Sequence, residues 1–208
     1  MPIVFTCCGF VATAEPVVIA ALGDSLTQGY GLVEEDGFVP QLDRWLQDQG
    51  LDVTLINAGV SGDTTAGGAA RVAWTLTPEV DGLIVALGGN DLLRGIDPAV
   101  SRENIEKILV TAKANGVDVL LIGMQAPGNY GPDYKQAFDA IYPELAQKHQ
   151  ALLADSFFAG LRADGDPNTV GQFMQADGIH PNAKGVSKIV DALGPLVQEL
   201  ATLSTGGD

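Results

Sequence analysis

Only two histidines stand in the 208 residues, and their settings differ. His180 lies in Asp177-Gly178-Ile179-His180-Pro181, a loop bounded by Gly and Pro with no evident packing role for an imidazole. A carboxylate three residues before it can hydrogen-bond one ring nitrogen, fix the tautomer and stabilise an imidazolium. The other nitrogen is then free to take a proton from a hydroxyl nucleophile. Ser25 is the serine placed for that part. It follows a strand pattern through Gly23-Asp24 into a helix start, a setting that exposes a hydroxyl and aims backbone N–H groups at it. Ser61 and Ser156 also follow strand patterns but lack such a setting. Taken alone, Gly23-Asp24-Ser25 reads equally well as a turn whose serine caps a helix. His149, in Ala146-Gln147-Lys148-His149-Gln150, ends a helix pattern, where a protonatable ring favours the C-terminal dipole and faces water. Both cysteines, Cys7 and Cys8, fall in the first ten residues, so the remaining chain has no disulfide and no cluster to hold a metal.

These residues must be positioned by an alternation of β-branched runs and amphipathic helix patterns, which signals a parallel sheet covered on both faces. Five strands are predicted: Val17–Leu22, Val53–Asn57, Leu83–Leu87, Val119–Ile122 and Ala151–Asp155, each apolar enough to be buried on two faces. Helical spacing appears as Val39/Leu42/Leu46, Ala69/Val72/Ala73/Leu76, Ile105/Ile108/Leu109/Ala112, Phe138/Ile141/Tyr142/Leu145 and Val186/Ile189/Val190/Leu193. Asp97-Pro98 and Ser101 open the third helix, and Ser204 to Asp208 reads as a fraying tail. In open α/β sheets ligands bind beyond the carboxyl ends of the strands. Gly23–Thr27, Ala58–Asp63, Gly88–Asp91 and Asp177–Pro181 should therefore meet at one rim.

Hydrophobic residues make up 46% and mean hydropathy is +0.18, which excludes a disordered chain, while no apolar run reaches the roughly 18 residues of a membrane span. Eleven Lys and Arg against 26 Asp and Glu give a net charge of −15, which would repel nucleic-acid phosphates and anionic lipid. Residues 15–208 are expected to form a single domain. Residues 1–14 are uncharged and finish Ala12-Thr13-Ala14, like the end of a signal peptide whose basic start is missing. Such a leader would send the protein to the periplasm or outside the cell; the other reading is a retained apolar tail.

Gly23-Asp24-Ser25-Leu26, Gly62, Gly89-Asn90-Asp91 and Asp177-x-x-His180, in that order, together resemble the GDSL or SGNH hydrolase family. Asn57–Thr64, Asn129-Tyr130-Gly131 and Ala140-Ile141-Tyr142-Pro143 are similar to its bacterial arylesterase branch, which includes periplasmic thioesterase/lysophospholipases. The resemblance implies an α/β, flavodoxin-like three-layer αβα sandwich with a five-stranded parallel sheet in the order 2-1-3-4-5, and no metal or cofactor. It makes Ser25 the nucleophile, His180 its base and Asp177 the orienter. The oxyanion donors it implies are the backbone N–H groups of Ser25 and Gly62 and the side chain of Asn90. Asp24 and Asp91 are expected to hold loops by hydrogen bonds.

Met124, Gln125, Ala126, Pro127 and Tyr130 look like the loop that shapes the acyl groove in this branch. Several relatives carry a larger aliphatic residue where Ala126 stands, so short or medium acyl or aryl esters are expected, with thioesters and lysophospholipids within the family's reach. The partner is then a small-molecule acyl ester, and the chain a monomer or weak oligomer. A carbohydrate deacetylase would use the same machinery, though 6% aromatics give little for sugar stacking. A flavin- or nucleotide-binding module shares the sheet type, but the first loop has no P-loop or G-x-G-x-x-G text. The usual α/β-hydrolase pattern, G-x-S-x-G at mid-chain, is missing.

Overall fold

The computed structural model describes residues 16–162 and 167–205; the expected leader, residues 1–14, lies outside them. Five parallel strands, β1 (Val17–Gly23), β2 (Val53–Gly59), β3 (Gly82–Ala86), β4 (Asp118–Ile122) and β5 (Leu152–Ala154), form one sheet in the order β2-β1-β3-β4-β5. The helices are α1 (Ser25–Gln28), α2 (Phe38–Asp48), α3 (Thr65–Thr75), α4 (Gly89–Leu93), α5 (Pro98–Ala114), α6 (Pro132–Asp139), α7 (Ile141–His149) and α8 (Ala183–Ser204). α2 and α8 pack together on one face of the sheet, and α3, α5 and α7 cover the other. This is the expected three-layer sandwich.

Ile19-Ala20-Ala21-Leu22 of β1 and Leu83-Ile84-Val85-Ala86 of β3 are wholly buried, because helices cover both sides of the central strands. Truncating a leucine there to alanine typically costs about 2–5 kcal/mol. β2 departs from the two-sided burial predicted for it. It is an edge strand with a single neighbour, and Thr54, Ile56 and Asn57 are exposed. The pattern Phe138/Ile141/Tyr142/Leu145 belongs to two helices rather than one, α6 and α7, joined at Ala140. Pro143 explains the break: it offers no N–H and its ring would meet the carbonyl four residues back, whereas the first turn of a new helix tolerates it. Asp97 caps α5, accepting from Ala99 N at 2.9 Å, as the sequence indicates. Ser204 is the last residue of α8 rather than part of a tail.

Register brings the site together. Gly23 at the end of β1 pairs with Gly59 of β2 on one side and with Ala86 of β3 on the other. The three loops therefore leave the sheet at one level, delivering Ser25, Gly62 and Asn90 two, three and four residues beyond those paired ends. The chain runs from β1 outward to β2 and returns past β1 to β3, so adjacent connections part to opposite faces and open a crevice there.

Candidate active site

The segment that carries Ser25 is a tight strand-to-helix turn. A Cβ on Gly23 would stand 1.9 Å from Thr27 Oγ1, so only glycine lets α1 fold back this closely on β1. Asp24 caps α1 by accepting from Leu26 N at 3.0 Å, which leaves Ser25 as the first helical residue, half-buried, with its own N–H unused by the helix.

His180 Nε2 lies 2.8 Å from Ser25 Oγ, and its Nδ1 lies 2.7 Å from Asp177 Oδ2. The other carboxylate oxygen, Asp177 Oδ1, accepts the backbone N–H groups of Ile179 at 2.9 Å and His180 at 3.0 Å. The hydrogen bond to the His180 ring, followed by the two amides, pulls the Asp177 carboxyl down to about 2. Four further residues hold this loop. Met174 and Pro181 form an antiparallel bridge, and Asn182 caps α8 by accepting from Gly185 N. Gln175 Nε2 donates to Tyr30 O at 2.8 Å and Pro181 O at 3.0 Å, tying the loop to the chain just after α1. The Tyr30 ring rests 4.7 Å from the imidazole, centroid to centroid. Sequence reasoning missed Tyr30 and Gln175, since nothing local to either marks it.

On the other side of Ser25, Gly62 has φ +81°, a conformation glycine adopts without strain, and its carbonyl accepts from Arg94 Nη2 at 2.6 Å. Asn90 on α4 donates from Nδ2 to Asp24 Oδ2 at 3.1 Å. Asp91, fully buried, anchors α4 by accepting from Thr65 N at 2.9 Å, Thr65 Oγ1 at 2.5 Å and Ser101 Oγ at 2.8 Å. Arg71 joins the ends of two strands, donating to Gly23 O at 2.9 Å and Ala58 O at 2.7 Å while paired with Asp63 at 2.8 Å. Asp24 and Asp91 thus hold loops, as the sequence suggests. Burial pushes the Asp24 carboxyl up to about 6, against the lowering effect of the Leu26 amide and the Asn90 side chain.

A cleft of about 480 Å³ opens over Ser25, within the range of small-molecule sites. Met124, Gln125, Pro127 and Tyr130 line it together with Ser25, Gly62, Asn90 and His180. Ala126 does not. It is 3% exposed, and its backbone is pinned to α6: its N–H donates to Asp139 Oδ1 at 2.8 Å and its carbonyl accepts from Lys135 Nζ at 2.7 Å. Side-chain size at position 126 therefore does not set how tightly an acyl chain is gripped, contrary to the expectation, because the residue sits outside the cleft. Leu92, Leu93, Phe158 and Ile179 complete an apolar lining that the sequence did not reveal. Ser61 and Ser156 also line the cleft, but their hydroxyls engage Gln28 and the amide of Phe158 rather than a histidine. His149 ends α7 as expected, yet its ring is largely buried 3.4 Å from Glu106 instead of facing water. Among the described residues no group of three His, Cys, Asp or Glu could hold a metal, and no helix is long and apolar enough to cross a membrane.

A sheet in this order, with a serine after the first strand and a histidine before the last helix, is the class of the GDSL-like lipase/acylhydrolase family; residues 21–187 match its model, and the chain belongs to it. It is 38% identical over 190 residues to the esterase TesA of Pseudomonas aeruginosa, covering 91% of this chain and 90% of that one. It is 35% identical over 191 residues to the thioesterase 1/protease 1/lysophospholipase L1 of Escherichia coli K12, covering 91% and 86%. A crystal structure of TesA superposes with a TM-score of 0.79 at 37% identity, covering 88% of this chain and 99% of that one.

Proposed function

We propose that this protein is a serine esterase that hydrolyses carboxylic esters through an acyl-enzyme on Ser25. The observation that carries the reading is the unbroken hydrogen-bond chain from Ser25 Oγ through His180 to Asp177 at the base of an apolar cleft. Neutral His180 takes the hydroxyl proton on Nε2 as Oγ attacks the acyl carbon, and the ester carbonyl becomes an oxyanion. Asp177 holds Nδ1–H and stabilises the imidazolium. The oxyanion lies against the N–H groups of Ser25 and Gly62 and the side-chain amide of Asn90, each such donor being worth roughly 3 kcal/mol of barrier. The imidazolium then protonates the departing alcohol, leaving Ser25 acylated. Water enters, gives its proton to His180 and attacks the acyl carbon, and the acid leaves as Ser25 regains its hydrogen.

The substrates are esters whose acyl or aryl group fits the apolar cleft over Ser25, with thioesters and lysophospholipids as further candidates supported by the family relationship. The apolar cleft wall favours an acyl or aryl group over an acetylated sugar. We place the mature protein in the periplasm or outside the cell on the strength of the leader-like residues 1–14, acting as a monomer or weak oligomer. Treatment with an organophosphonate ester followed by mass spectrometry of the peptides tests the nucleophile. The adduct is expected on Ser25 with loss of activity; an adduct on Ser61, or full activity after labelling, would remove the assignment. Rates on p-nitrophenyl esters from two to sixteen carbons, beside an acyl-CoA and an acetylated xylan, define the substrate class.

A further inference from the structure

Asp24 is 2% exposed, and its carboxylate is costly where it stands. Capping α1 does not require a charge, because asparagine caps a helix as well as aspartate does. No cation pairs with it among the described residues. Arg71 is committed to Asp63 and two carbonyls; the other ionisable groups that face Asp24 are His180 from the loop before α8, Asp63 from the loop after β2 and Tyr142 from α7. What a carboxylate has and an amide lacks is a second oxygen that only accepts. That oxygen, Oδ2, receives Nδ2–H of Asn90 at 3.1 Å.

We propose that Asp24 is a positioning residue for the oxyanion amide, setting which way the side chain of Asn90 faces. The inference rests on the esterase reading above. The two N–H bonds of a primary amide lie in one plane at a fixed angle, so anchoring one on Asp24 Oδ2 aims the other into the cleft beside Ser25. A carboxylate also rejects the flipped amide, which would bring two acceptor oxygens together. The flip would be ruinous for catalysis, because the carbonyl of Asn90 would then face the developing oxyanion. An asparagine at position 24, or a protonated Asp24, can donate to a flipped Asn90 and so loses this selection. Because burial pushes the carboxyl up to about 6, about nine-tenths of Asp24 is charged at pH 7 and the selection fails in mild acid.

A double-mutant cycle tests this on the full chain, using kcat for p-nitrophenyl butyrate at pH 8. Asn90→Ala is expected to lower kcat by roughly 10²–10³-fold, the usual loss for one oxyanion donor. Asp24→Asn should lower it at least tenfold with KM nearly unchanged. The double variant should be no worse than Asn90→Ala within about threefold, since residues acting through one another are not additive. Multiplication of the two losses would overturn the proposal. A second measurement does not depend on the Asp24 variant folding. Below pH 6, log kcat/KM of the unmodified protein should fall more steeply than one proton allows, and that of Asn90→Ala with a slope of one. A slope of one in both, with the Asp24 carboxyl titrating near 6 by carbon-13 NMR, would also overturn it. Ser25→Ala separates the two levels: an active Ser25→Ala variant refutes the esterase reading itself, whereas an inactive one beside a multiplicative cycle refutes only the role of Asp24.

Discussion

The two oxygens of Asp177 serve His180 in different ways: Oδ2 takes the ring Nδ1 at 2.7 Å, while Oδ1 takes the backbone N–H of the same residue at 3.0 Å and that of Ile179 at 2.9 Å. The carboxylate thus fixes both the ring and the loop that carries it. An asparagine has one accepting oxygen and must turn its NH₂ toward a donor on one side or the other. Asp177→Asn is therefore expected to keep the fold and lower kcat on the order of 10⁴-fold, the size of the loss in a well-studied triad whose imidazole is left in the wrong tautomer. Steady-state kinetics beside a thermal melt decide it. Near-full kcat in a folded Asp177→Asn would move the acid of the site elsewhere.

The same hydrogen bonds predict how stability responds to acid. Asp177 has a folded pKa near 2, depressed from the usual 3.8, so the stability it contributes is present above about pH 4 and is lost as pH falls through 2. Unfolding midpoints at pH 5 and pH 2.5 should show the native protein losing more than Asp177→Asn over that interval. Equal losses would mean that the bonds do not depend on the charge.

Asp24 behaves with the opposite sign. Its folded pKa near 6 lies above the usual 3.8, so the folded protein holds that proton more tightly; its contribution is full below pH 3.8 and is lost as pH rises through 6. About two pKa units correspond to roughly 3 kcal/mol. Relative to Asp24→Asn, which lacks this titration, the native protein is expected to lose stability between pH 4 and pH 7. Denaturant unfolding of both proteins at the two pH values checks it, and a difference independent of pH would show that the carboxyl titrates normally. Charge at this position at neutral pH then burdens the fold while serving the site, a trade common in active centres.

Acyl-chain preference should follow the cleft lining and not residue 126. Ala126→Leu is expected to cost about 1–3 kcal/mol through overpacking and to leave the chain-length profile unchanged. Met124→Ala, which widens the cleft, should raise kcat/KM for ten-carbon relative to four-carbon esters. Each further methylene that it buries is worth about 0.8 kcal/mol, close to fourfold. The p-nitrophenyl ester series run on both variants separates them; a shifted profile in Ala126→Leu with none in Met124→Ala would reverse this account of the groove.

Arg71 joins the ends of β1 and β2 beneath the turn that carries Ser25. Arg71→Ala removes the guanidinium from the carbonyls of Gly23, which keeps the N–H of Val60, and Ala58, leaves Asp63 without its partner, and is expected to cost about 2 kcal/mol, or about 4–8 °C in Tm. The readout is the melting temperature together with kcat, both of which should fall. An unchanged Tm would show that water replaces the guanidinium without loss.

The parts of this protein that could be read directly from its residues are those whose signal is local. Ile19–Leu22 and Leu83–Ala86 announce buried central strands because they are continuous apolar runs, and Asp177 can reach His180 because three residues separate them. The break between α6 and α7 was equally local, since Pro143 marks it, but the continuous 3.6-residue pattern from Phe138 to Leu145 masked that signal. Side-chain direction in irregular chain is different. Ala126 lies among residues that line the cleft yet stays out of it, because its backbone is held by Asp139 and Lys135 of α6, and no hydrophobic period encodes that rotation.

From sequence alone came the residue types, their order and the sheet that carries them, enough to name Ser25, Asp177 and His180 as one constellation. Tertiary structure alone decided the contacts between distant segments. The hydrogen bond between Ser25 and His180 spans 155 residues, that from Gln175 to Tyr30 spans 145, and that from Asn90 to Asp24 spans 66. Each depends on strand register and on how a loop turns above the sheet. Periodicity tells which face of an element is buried; it carries no record of which loops then stand side by side, and that placement is what sets the buried carboxylate of Asp24 against the amide of Asn90.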